Sequence, residues 1–443
     1  MVPHEEKKQR LLAEFHALGD HQARLGKNTS NLFRERTGST RRIDVRDLDT
    51  VIGVNRDQQW VEVEGMAPYV KLSEATLRHG VMPAVVPQLK SITIGGAVSG
   101  VGIESSSFKF GLPHETVLEM DVLVGDGRVL TCTPGNEHRD LFFGLANSYG
   151  TLGYVLKLKA RTIPVCSYVK LEHLRFTHPE AFFAAVGEWS NADIDFLDGT
   201  VFAPDDHYLT IGRFVDAAPY TSDYTYLDIY YRSIPTRRSD YLTTYDYLWR
   251  WDTDWFWCSQ NLCMQYRLVR RLLRAKRLNS ISYTKVMRWN ARWKVTKTIN
   301  RILGYYPESV IQDVDIPLDK ASEFLDFLHR EIGIKPIWVC PIGAYDKSAA
   351  FPLYPLDPNV LYINFGFWDS VKTREKHPPG YRNKKIERRV AELGGIKSLY
   401  SDSYYTREEF WQHYNESVYR SLKRKYDPHN RLSDLYDKCV LRR

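Results

Sequence analysis

Residues 93–111 combine small and polar residue types in a pattern that suits nucleotide binding. Five glycines and four serines fall within these 19 residues. Glycine lets the backbone approach a ligand closely and adopt positive φ, so successive backbone N–H groups can form a nest for an anion. Serine hydroxyls add hydrogen-bond donors for a phosphate or for the polar edge of a ring. The segment therefore indicates either a nucleotide-binding loop or a glycine-rich connection between strands.

Several familiar motifs are excluded by the sequence. Residues 100–105 carry serine where a nicotinamide fingerprint has its third glycine, and no helical pattern follows. The segment also lacks the Gly-Lys-Ser/Thr of a Walker loop. Residues 146–150 lack the first glycine of a hydrolase nucleophile elbow. Cys258 and Cys263 have no second pair to complete a zinc site. We therefore expect neither a hydrolase nor a metal centre.

The composition is that of a folded protein. The chain has 443 residues, of which 43% are apolar and 26% are charged, and this length favours two or three domains. No apolar run reaches the ~18–20 residues that span a bilayer, and residues 1–8 lack the apolar stretch of a secretory signal. Six cysteines in so long a chain do not indicate a disulfide framework. We therefore expect reduced thiols and a cytoplasmic location.

Residues 228–301 differ from the rest of the chain in charge. They contain 16 Lys and Arg against 5 Asp, an excess of +11 in a chain whose net charge is +7, together with six of the eleven tryptophans. Three interpretations are open: a nucleic-acid surface, a membrane-interface patch, or tryptophans in a core beside a solvated charged face. The alternation of arginine and leucine over residues 267–274 predicts an amphipathic helix there.

The remaining patterns predict an α+β fold. Residues 5–18 form an amphipathic helix, and Gly125-Asp126-Gly127 joins two alternating stretches as a hairpin. Apolar residues spaced by three and four predict a helix over residues 318–332. Thr406 and Glu409 form a capping box that opens a last helix, closed at Asp427-Pro428.

Motifs from separate parts of the chain resemble the delta(24)-sterol reductase family (seladin/diminuto), flavoproteins of the vanillyl-alcohol-oxidase class. They are Met-Pro-Ala-Val-Val-Pro at 82–87, Thr-Ile-Gly-Gly at 93–96, Gly-Ile-Glu-Ser-Ser-Ser at 102–107, Gly-Thr-Leu-Gly at 150–153, Lys-Pro-Ile-Trp-Val-Cys-Pro at 335–341, Leu-Tyr-Ser-Asp-Ser-Tyr at 399–404 and Arg-Glu-Glu-Phe-Trp at 407–411. The resemblance spans residues 40–440 and is weak between 170 and 310.

The resemblance implies a two-subdomain FAD-binding domain over residues 1–165. It also implies a cap, or substrate, domain over 166–405 and a C-terminal helical segment, 406–443, that returns to the FAD domain. The implied FAD-binding residues lie in three loops; they are Thr29, Ser30 and Asn31, then Thr93, Ile94, Gly95, Gly96, Gly100, Gly102, Ile103, Glu104, Ser105, Ser106, Ser107 and Gly111, then Gly150, Thr151, Leu152, Gly153 and Tyr154.

The sequence departs from the family in three ways. Only a helix precedes residues 27–31, so we expect a shortened first subdomain or one that another chain completes. We also expect no counterpart of the membrane-spanning N-terminus of the animal enzymes. The early loop also has no histidine for a covalent flavin link, so the expected FAD is non-covalent.

The reaction implied by the family is reduction of a carbon–carbon double bond in a sterol-like or isoprenoid lipid, with NAD(P)H as a transient electron donor. The isoalloxazine ring handles the hydride, and the protein must position a proton donor within reach of the substrate. Our candidates for that donor are Glu104, His114, Asp402 and Tyr404.

Two other functions stay open. One is an FAD-dependent dehydrogenase or oxidase of an alcohol, sugar or lactone; the other is a membrane-associated scaffold that binds flavin without catalysis. The lipidic substrate favours the membrane interpretation of residues 228–301 and disfavours nucleic acid. The oligomeric state is not predicted.

Overall fold

The computed structural model describes residues 2–27, 41–293 and 295–443. The chain begins with α1 (His4–Ala17) and a parallel pair of short strands, β1 (Ala23–Gly26) and β2 (Arg41–Asp44). Leu11, Phe15 and Leu18 are buried, as the amphipathic pattern predicts. The expectation that only a helix precedes residues 27–31 was wrong, because β1 lies between α1 and that loop.

The first sheet has six strands, all antiparallel, and is built from residues 51–164. Its strands are β3 (Val51–Asn55), β4 (Trp60–Glu64), β5 (Val81–Pro83), β6 (Val117–Leu123), β7 (Val129–Cys132) and β8 (Tyr154–Pro164), in the order β3-β4-β8-β6-β7, with β5 also paired to β8. Its helices are α2 (Tyr69–Leu77), α3 (Ile94–Gly100), α4 (Ser107–Phe110) and α5 (Arg139–Gly144). The hairpin predicted around Gly125-Asp126-Gly127 is confirmed by the pairing of Met120 with Cys132.

The second sheet has eight antiparallel strands and lies within residues 168–397. They are β9 (Tyr168–Phe176), β10 (Phe196–Ala203), β11 (Asp206–Val215), β12 (Ser239–Thr243), β13 (Tyr306–Pro317), β14 (Ile337–Ile342), β15 (Tyr362–Thr373) and β16 (Ile396–Lys397), in the order β12-β9-β11-β10-β14-β15-β13-β16. Helix α6 (Pro179–Trp189) contributes to the apolar core beneath this sheet.

Residues 228–301 are mainly helical, contain the edge strand β12 of the second sheet, and are called the helical insertion below. Its helices are α7 (Tyr230–Ser233), α8 (Thr244–Leu248), α9 (Arg267–Leu273), α10 (Ser280–Trp293) and α11 (Val295–Ile302). Four of its six tryptophans, at 249, 251, 255 and 257, are buried. The helix predicted from the arginine and leucine spacing is α9.

The last helices cover both sheets. Helix α12 (Ala321–Phe327) and α13 (Tyr381–Glu392) pack on the second sheet, and α14 (Arg407–His413), α15 (Glu416–Tyr426) and α16 (Leu435–Cys439) follow. The capping box is confirmed by the hydrogen bond from the Thr406 N–H to Glu409 Oε2 at 2.7 Å. The single last helix we expected is two helices, because Asn415 adopts a φ of +50° and caps α15.

The C-terminal helices contact the first sheet. Lys423 Nζ donates to the Thr151 carbonyl at 2.9 Å, and the Gly125 N–H donates to the Tyr426 carbonyl at 2.8 Å. The two sheets together define an α+β fold, as predicted. No helix in the described part of the chain is long and apolar enough to cross a bilayer.

Candidate functional site

A cavity of about 760 Å³ lies where the glycine-rich segment of the first sheet meets the second sheet, the helical insertion and the C-terminus. This volume is within the range of ligand-binding pockets, roughly 300–1,000 Å³. Its walls include residues 99–103 from the first sheet, Ile311 and Asp313 from β13, Met287 from α10, and the C-terminal Arg442. Four separate parts of the chain therefore share one chamber.

The glycine-rich segment lines one side of this cavity and packs too closely for larger residues. A Cβ at Gly95 would lie 2.7 Å from the Gly65 carbonyl oxygen, and one at Gly102 would lie 2.9 Å from the Pro87 ring. Val101, between two glycines, adopts a φ of +80°. A positive φ is an outlier for a β-branched residue, and such strain concentrates at ligand-binding sites.

Nine of the residues implied to bind FAD line the cavity. They come from the second and third loops and are Thr93, Gly95, Gly96, Gly100, Gly102, Ile103, Gly150, Gly153 and Tyr154. Thr29, Ser30 and Asn31, the first loop, lie outside the described residues. The second and third loops therefore meet at one chamber.

The other implied FAD-binding residues lie behind the cavity wall. Ser106 Oγ donates to the Ala84 carbonyl at 2.8 Å, and Thr151 Oγ1 donates to the Ser148 carbonyl at 2.7 Å. The remaining members of this group are Ile94 and Leu152 in the apolar core, Glu104, Ser105 and Ser107 in a buried polar cluster, and Gly111 against Glu115. They lie next to the lining residues and are held by hydrogen bonds and apolar packing within the protein.

None of the four proposed proton donors lines the cavity, and two of them are buried. Glu104 accepts hydrogen bonds from Gln88 Nε2 at 2.6 Å and from Ser105 Oγ, and it pairs with Arg250 Nη2 at 3.4 Å. His114 packs edge-on against Phe351 with ring centroids 4.4 Å apart, and burial lowers its pKa to about 3. A neutral imidazole of such low pKa is a poor proton donor at neutral pH.

The other two proposed donors lie near the C-terminus. Asp402 pairs with Arg442 at 3.2 Å, and it is Arg442 that lines the cavity. The Tyr404 N–H donates to Glu387 Oε1 at 3.1 Å, and the ring lies against Gly380. The structure gives these four residues contacts with protein and does not bring them together, and their catalytic roles stay predictions.

An aromatic wall, formed by Trp255, Phe256, Trp338 and Trp368, faces the same chamber. The Phe256 ring lies 4.5 Å from that of Trp368 and 5.4 Å from that of Trp338. Residues 255–257 all have positive φ, between +47° and +58°, which is uncommon for bulky residues. The wall supplies an apolar surface for a flat ring system or a lipid.

Cations outnumber carboxylates around the cavity. Among the described residues its lining includes two acids, Asp313 and Asp369, and six cations, which are Arg24, Lys27, Lys372, Lys438, Arg442 and Arg443. Lys438 Nζ donates to the Tyr149 carbonyl at 2.6 Å, which places this cation beside the 150–154 turn. An excess of positive charge attracts a pyrophosphate. The close-packed glycines, the cations and the volume together fit FAD.

Sequence reasoning missed Asp313 and Tyr400, which both line the cavity. Asp313 hydrogen-bonds to Tyr400, and burial together with the nearby Asp315 raises the pKa of the Asp313 carboxyl to about 8. The sequence did contain a pattern that could have drawn attention to Asp313. Asp313 and Asp315 are two residues apart on a strand, so their side chains project to the same face. Like charges that share a buried face raise each other's pKa.

Comparison with known proteins agrees with this geometry. Residues 2–133 match the FAD binding domain family. Over 407 residues the chain is 26% identical to the human delta(24)-sterol reductase, covering 88% of this chain and 76% of that protein. The enzyme of that name from Arabidopsis thaliana is 23% identical, over 87% of this chain and 74% of its own length. Cytokinin dehydrogenase 10 of rice is 27% identical over 43% of this chain and 31% of its own length.

The fold, the cavity and the family match define an FAD-dependent oxidoreductase. Within that class the chain is similar, over 87–88% of its length, to delta(24)-sterol reductases from an animal and a plant. The family resemblance, the FAD cofactor and the α+β fold inferred from the sequence are confirmed.

Proposed function

We propose that the protein reduces a carbon–carbon double bond of a sterol-like or isoprenoid lipid, and that NAD(P)H supplies the electrons. The observation that carries the proposal is one continuous chamber in which the glycine-rich segment meets the aromatic wall. A redox cofactor and an apolar substrate need this arrangement, because the reacting atoms must be in contact. The sterol reductase homologues supply the substrate class.

The chain's residues have separate tasks in this proposal. Bound FAD would supply the hydride-transfer chemistry between NAD(P)H and the alkene. The main chain of residues 95–102 and Lys438, which lies beside Tyr149, would hold the cofactor. The aromatic wall packs against the lipid and excludes water, which prevents side reactions.

The test is the absorbance of the purified protein, followed anaerobically after NADPH is added. We expect visible flavin bands that are released to the supernatant on acid precipitation and that NADPH bleaches. A sterol or polyprenyl alkene should then restore them. Bands that NADPH leaves unchanged but that an alcohol, sugar or lactone bleaches would favour a dehydrogenase instead. Absence of flavin even after FAD is added would favour a scaffold and overturn the proposal.

We also propose that the protein acts from the cytoplasm and docks peripherally on a membrane through the insertion. The proposed docking face comprises exposed apolar side chains on α9 to α11, among them Leu272, Trp289, Trp293 and Ile302, whose exposed fractions are 76%, 56%, 63% and 79%. Exposed cations lie in the same segment, among them Arg271, Arg274, Lys276 and Arg277. Apolar side chains with neighbouring cations are the composition that binds anionic lipid surfaces.

The docking face also reaches the cavity, which supports a lipidic substrate. Trp289 is exposed and lines the chamber, together with Val286 on the same helix. Helix α10 therefore joins the outer surface to the proposed substrate site. A lipid could pass from a bilayer to the cavity without crossing bulk water.

Vesicle sedimentation tests the docking face. The double variant Leu272→Glu/Ile302→Glu should stay in the supernatant of phosphatidylcholine–phosphatidylserine vesicles with which the wild type sediments. Neither residue lines the cavity, so NADPH should still bleach the flavin. Ile52→Glu, at an exposed position on β3, is the matched control and should sediment normally. Equal sedimentation of the double variant and the wild type would contradict the proposal.

A further inference from the structure

We infer that Asp313 is the proton donor for alkene reduction and that Tyr400 is the residue that positions it. The inference rests on the proposed function and names the group that this reaction needs in addition to a hydride source. The observation behind it is a carboxyl on the cavity wall, with its Oδ1 atom buried, that lies opposite a glycine on the neighbouring strand.

The position of Asp313 depends on a glycine on the neighbouring strand. In the β13–β15 pair Asp313 lies opposite Gly366. A Cβ at Gly366 would lie 2.7 Å from Asp313 Oδ1 and 2.5 Å from the Trp368 ring. The missing side chain therefore leaves room for the carboxyl and the indole side by side, both on the cavity wall. Oδ1 is buried and has no hydrogen-bond partner among the described residues.

The surroundings of Asp313 keep its carboxyl group protonated at neutral pH. Burial raises the pKa of its carboxyl to about 8, the charge of Asp315 adds to this, and the hydrogen bond to Tyr400 opposes it. Asp315 itself is held by Tyr354 Oη at 2.6 Å and by Asn364 Nδ2 at 2.8 Å, both uncharged donors. A carboxylic acid with a pKa near the working pH is well matched to general acid catalysis.

Tyr400 is better suited to holding Asp313 than to giving up a proton. Its hydroxyl accepts a hydrogen bond from Trp368 Nε1 at 2.8 Å. Burial and the neighbouring Asp313 raise the pKa of Tyr400 well above its usual value, so its phenolate is costly to form. Tyr400 therefore links the carboxyl to the aromatic wall and fixes its orientation.

The proposed step balances in atoms and electrons. The π bond of the alkene breaks and two C–H bonds form, one from the hydride whose two electrons come from NAD(P)H and one from the Asp313 proton. Asp313 is left as a carboxylate and takes a proton from solvent before the next turnover. In the overall reaction, the alkene, NAD(P)H and one proton are converted to the saturated lipid and NAD(P)+.

The first test separates the two half-reactions in the holoenzyme. Asp313→Asn should bind FAD and be reduced by NADPH as the wild type is, while alkene reduction falls by about 10²–10⁴-fold. Asp313→Glu, which keeps the acid, should recover part of the rate. Asp319→Asn is the matched control, because the same substitution is made six residues further on at an exposed side chain.

The second test is the pH profile of alkene reduction. The wild-type rate should be constant below about pH 8 and fall about tenfold per pH unit above it, because only the protonated acid donates. Tyr400→Phe should keep FAD and move this fall to higher pH, because the Tyr400 hydrogen bond lowers the pKa of Asp313. A merely structural role for Tyr400 would leave the profile unmoved.

A third test measures the pH dependence of stability and requires no catalysis. The ordinary pKa of aspartate is about 3.9, so between that value and about 8 the folded protein holds a proton that the unfolded chain releases. Stability contributed by this proton is present at low pH and is lost as pH rises. The melting temperature of the wild type should therefore fall, relative to that of Asp313→Asn, from about pH 5 to about pH 8.

Two outcomes would overturn the inference. If the wild type reduces lipid alkenes and Asp313→Asn retains more than about a tenth of the rate with the wild-type pH profile, Asp313 is not the donor although the proposed function stands. If the wild type reduces no lipid alkene, the proposed function fails and the inference fails with it.

Discussion

Two carboxyl groups, that of the buried Glu104 and that of the half-buried Asp313, lie on opposite sides of the junction between the sheets and have different surroundings. Glu104, beside the glycine-rich segment, shares Arg250 Nη2 with Asp198, at 3.4 Å and 2.9 Å. Asp313, on β13, has a carboxylate and a tyrosine as its electrostatic neighbours. Only Asp313 lines the cavity.

The comparison shows that a neighbouring cation decides whether a carboxyl group has a structural role or can act as an acid. Burial raises the pKa of Glu104, but the Arg250 charge opposes this and the surrounding donors hold the side chain in place. Its cluster ties the glycine-rich segment to the second sheet, because Asp198 also accepts a hydrogen bond from Trp338 Nε1 at 3.0 Å. Among the residues that the structure describes, none gives Asp313 such a cation, so its carboxyl can exchange its proton. A buried carboxyl is therefore a better candidate acid where no cation neutralises it.

The largest expected effect comes from breaking the Glu104 cluster. Arg250→Met should lower the free energy of unfolding by about 3–5 kcal/mol, because it leaves two buried carboxylates without their cation. Urea denaturation measures this loss. The control is Arg267→Met, which removes a surface pair with Asp228 and should change stability little. If Arg250→Met lowers the free energy of unfolding no more than the control does, the Glu104 cluster does not link the glycine-rich segment to the second sheet.

A smaller effect is expected from filling the space beside Asp313. Gly366→Ala should lower the free energy of unfolding by about 1–3 kcal/mol, because the added Cβ overlaps the indole and the carboxyl. Alkene reduction should fall more than flavin reduction by NADPH. Gly53→Ala is the control, since its Cβ would meet nothing within 4 Å. Unchanged stability and unchanged alkene reduction would contradict the packing described for Asp313.

The smallest effect is a shift in pH dependence. Asp315→Asn removes the like charge that raises the pKa of Asp313, so the alkaline fall in alkene reduction should move to lower pH. The maximal rate at acidic pH should change little. If the pH profile of alkene reduction does not shift in this variant, a group other than Asp313 controls the loss of rate at alkaline pH.

The first site region could be predicted because its signal is local. The glycines and serines of residues 93–111 adjoin one another, and close backbone approach requires glycine wherever it occurs. The capping box at Thr406 is local in the same way. The break between α14 and α15 was missed because it depends on Asn415 adopting a positive φ, which a pattern of apolar residues does not show.

The second site region could not be predicted because its parts are distant in sequence. Asp313, Gly366 and Tyr400 come together only when β13 pairs with β15 and the chain after β16 returns to the cavity. The choice of Glu104 as proton donor relied on its neighbours in sequence and could not foresee Arg250, 146 residues away along the chain. The spacing of Asp313 and Asp315 indicates a shared face, but burial and the Arg250 partner of Glu104 are properties of the fold, so the sequence could not rank these carboxyl groups by pKa.

The most direct test of the account is the reoxidation of reduced holoprotein by a lipid alkene without oxygen. The protein is reduced with one equivalent of NADPH and mixed with a sterol that carries a side-chain double bond, and the visible flavin absorbance is followed while the product is identified by mass spectrometry. The account predicts that the oxidised bands return and that an equivalent amount of saturated sterol forms, quickly in the wild type and slowly in Asp313→Asn. Flavin that stays reduced with every sterol and polyprenyl alkene would contradict it.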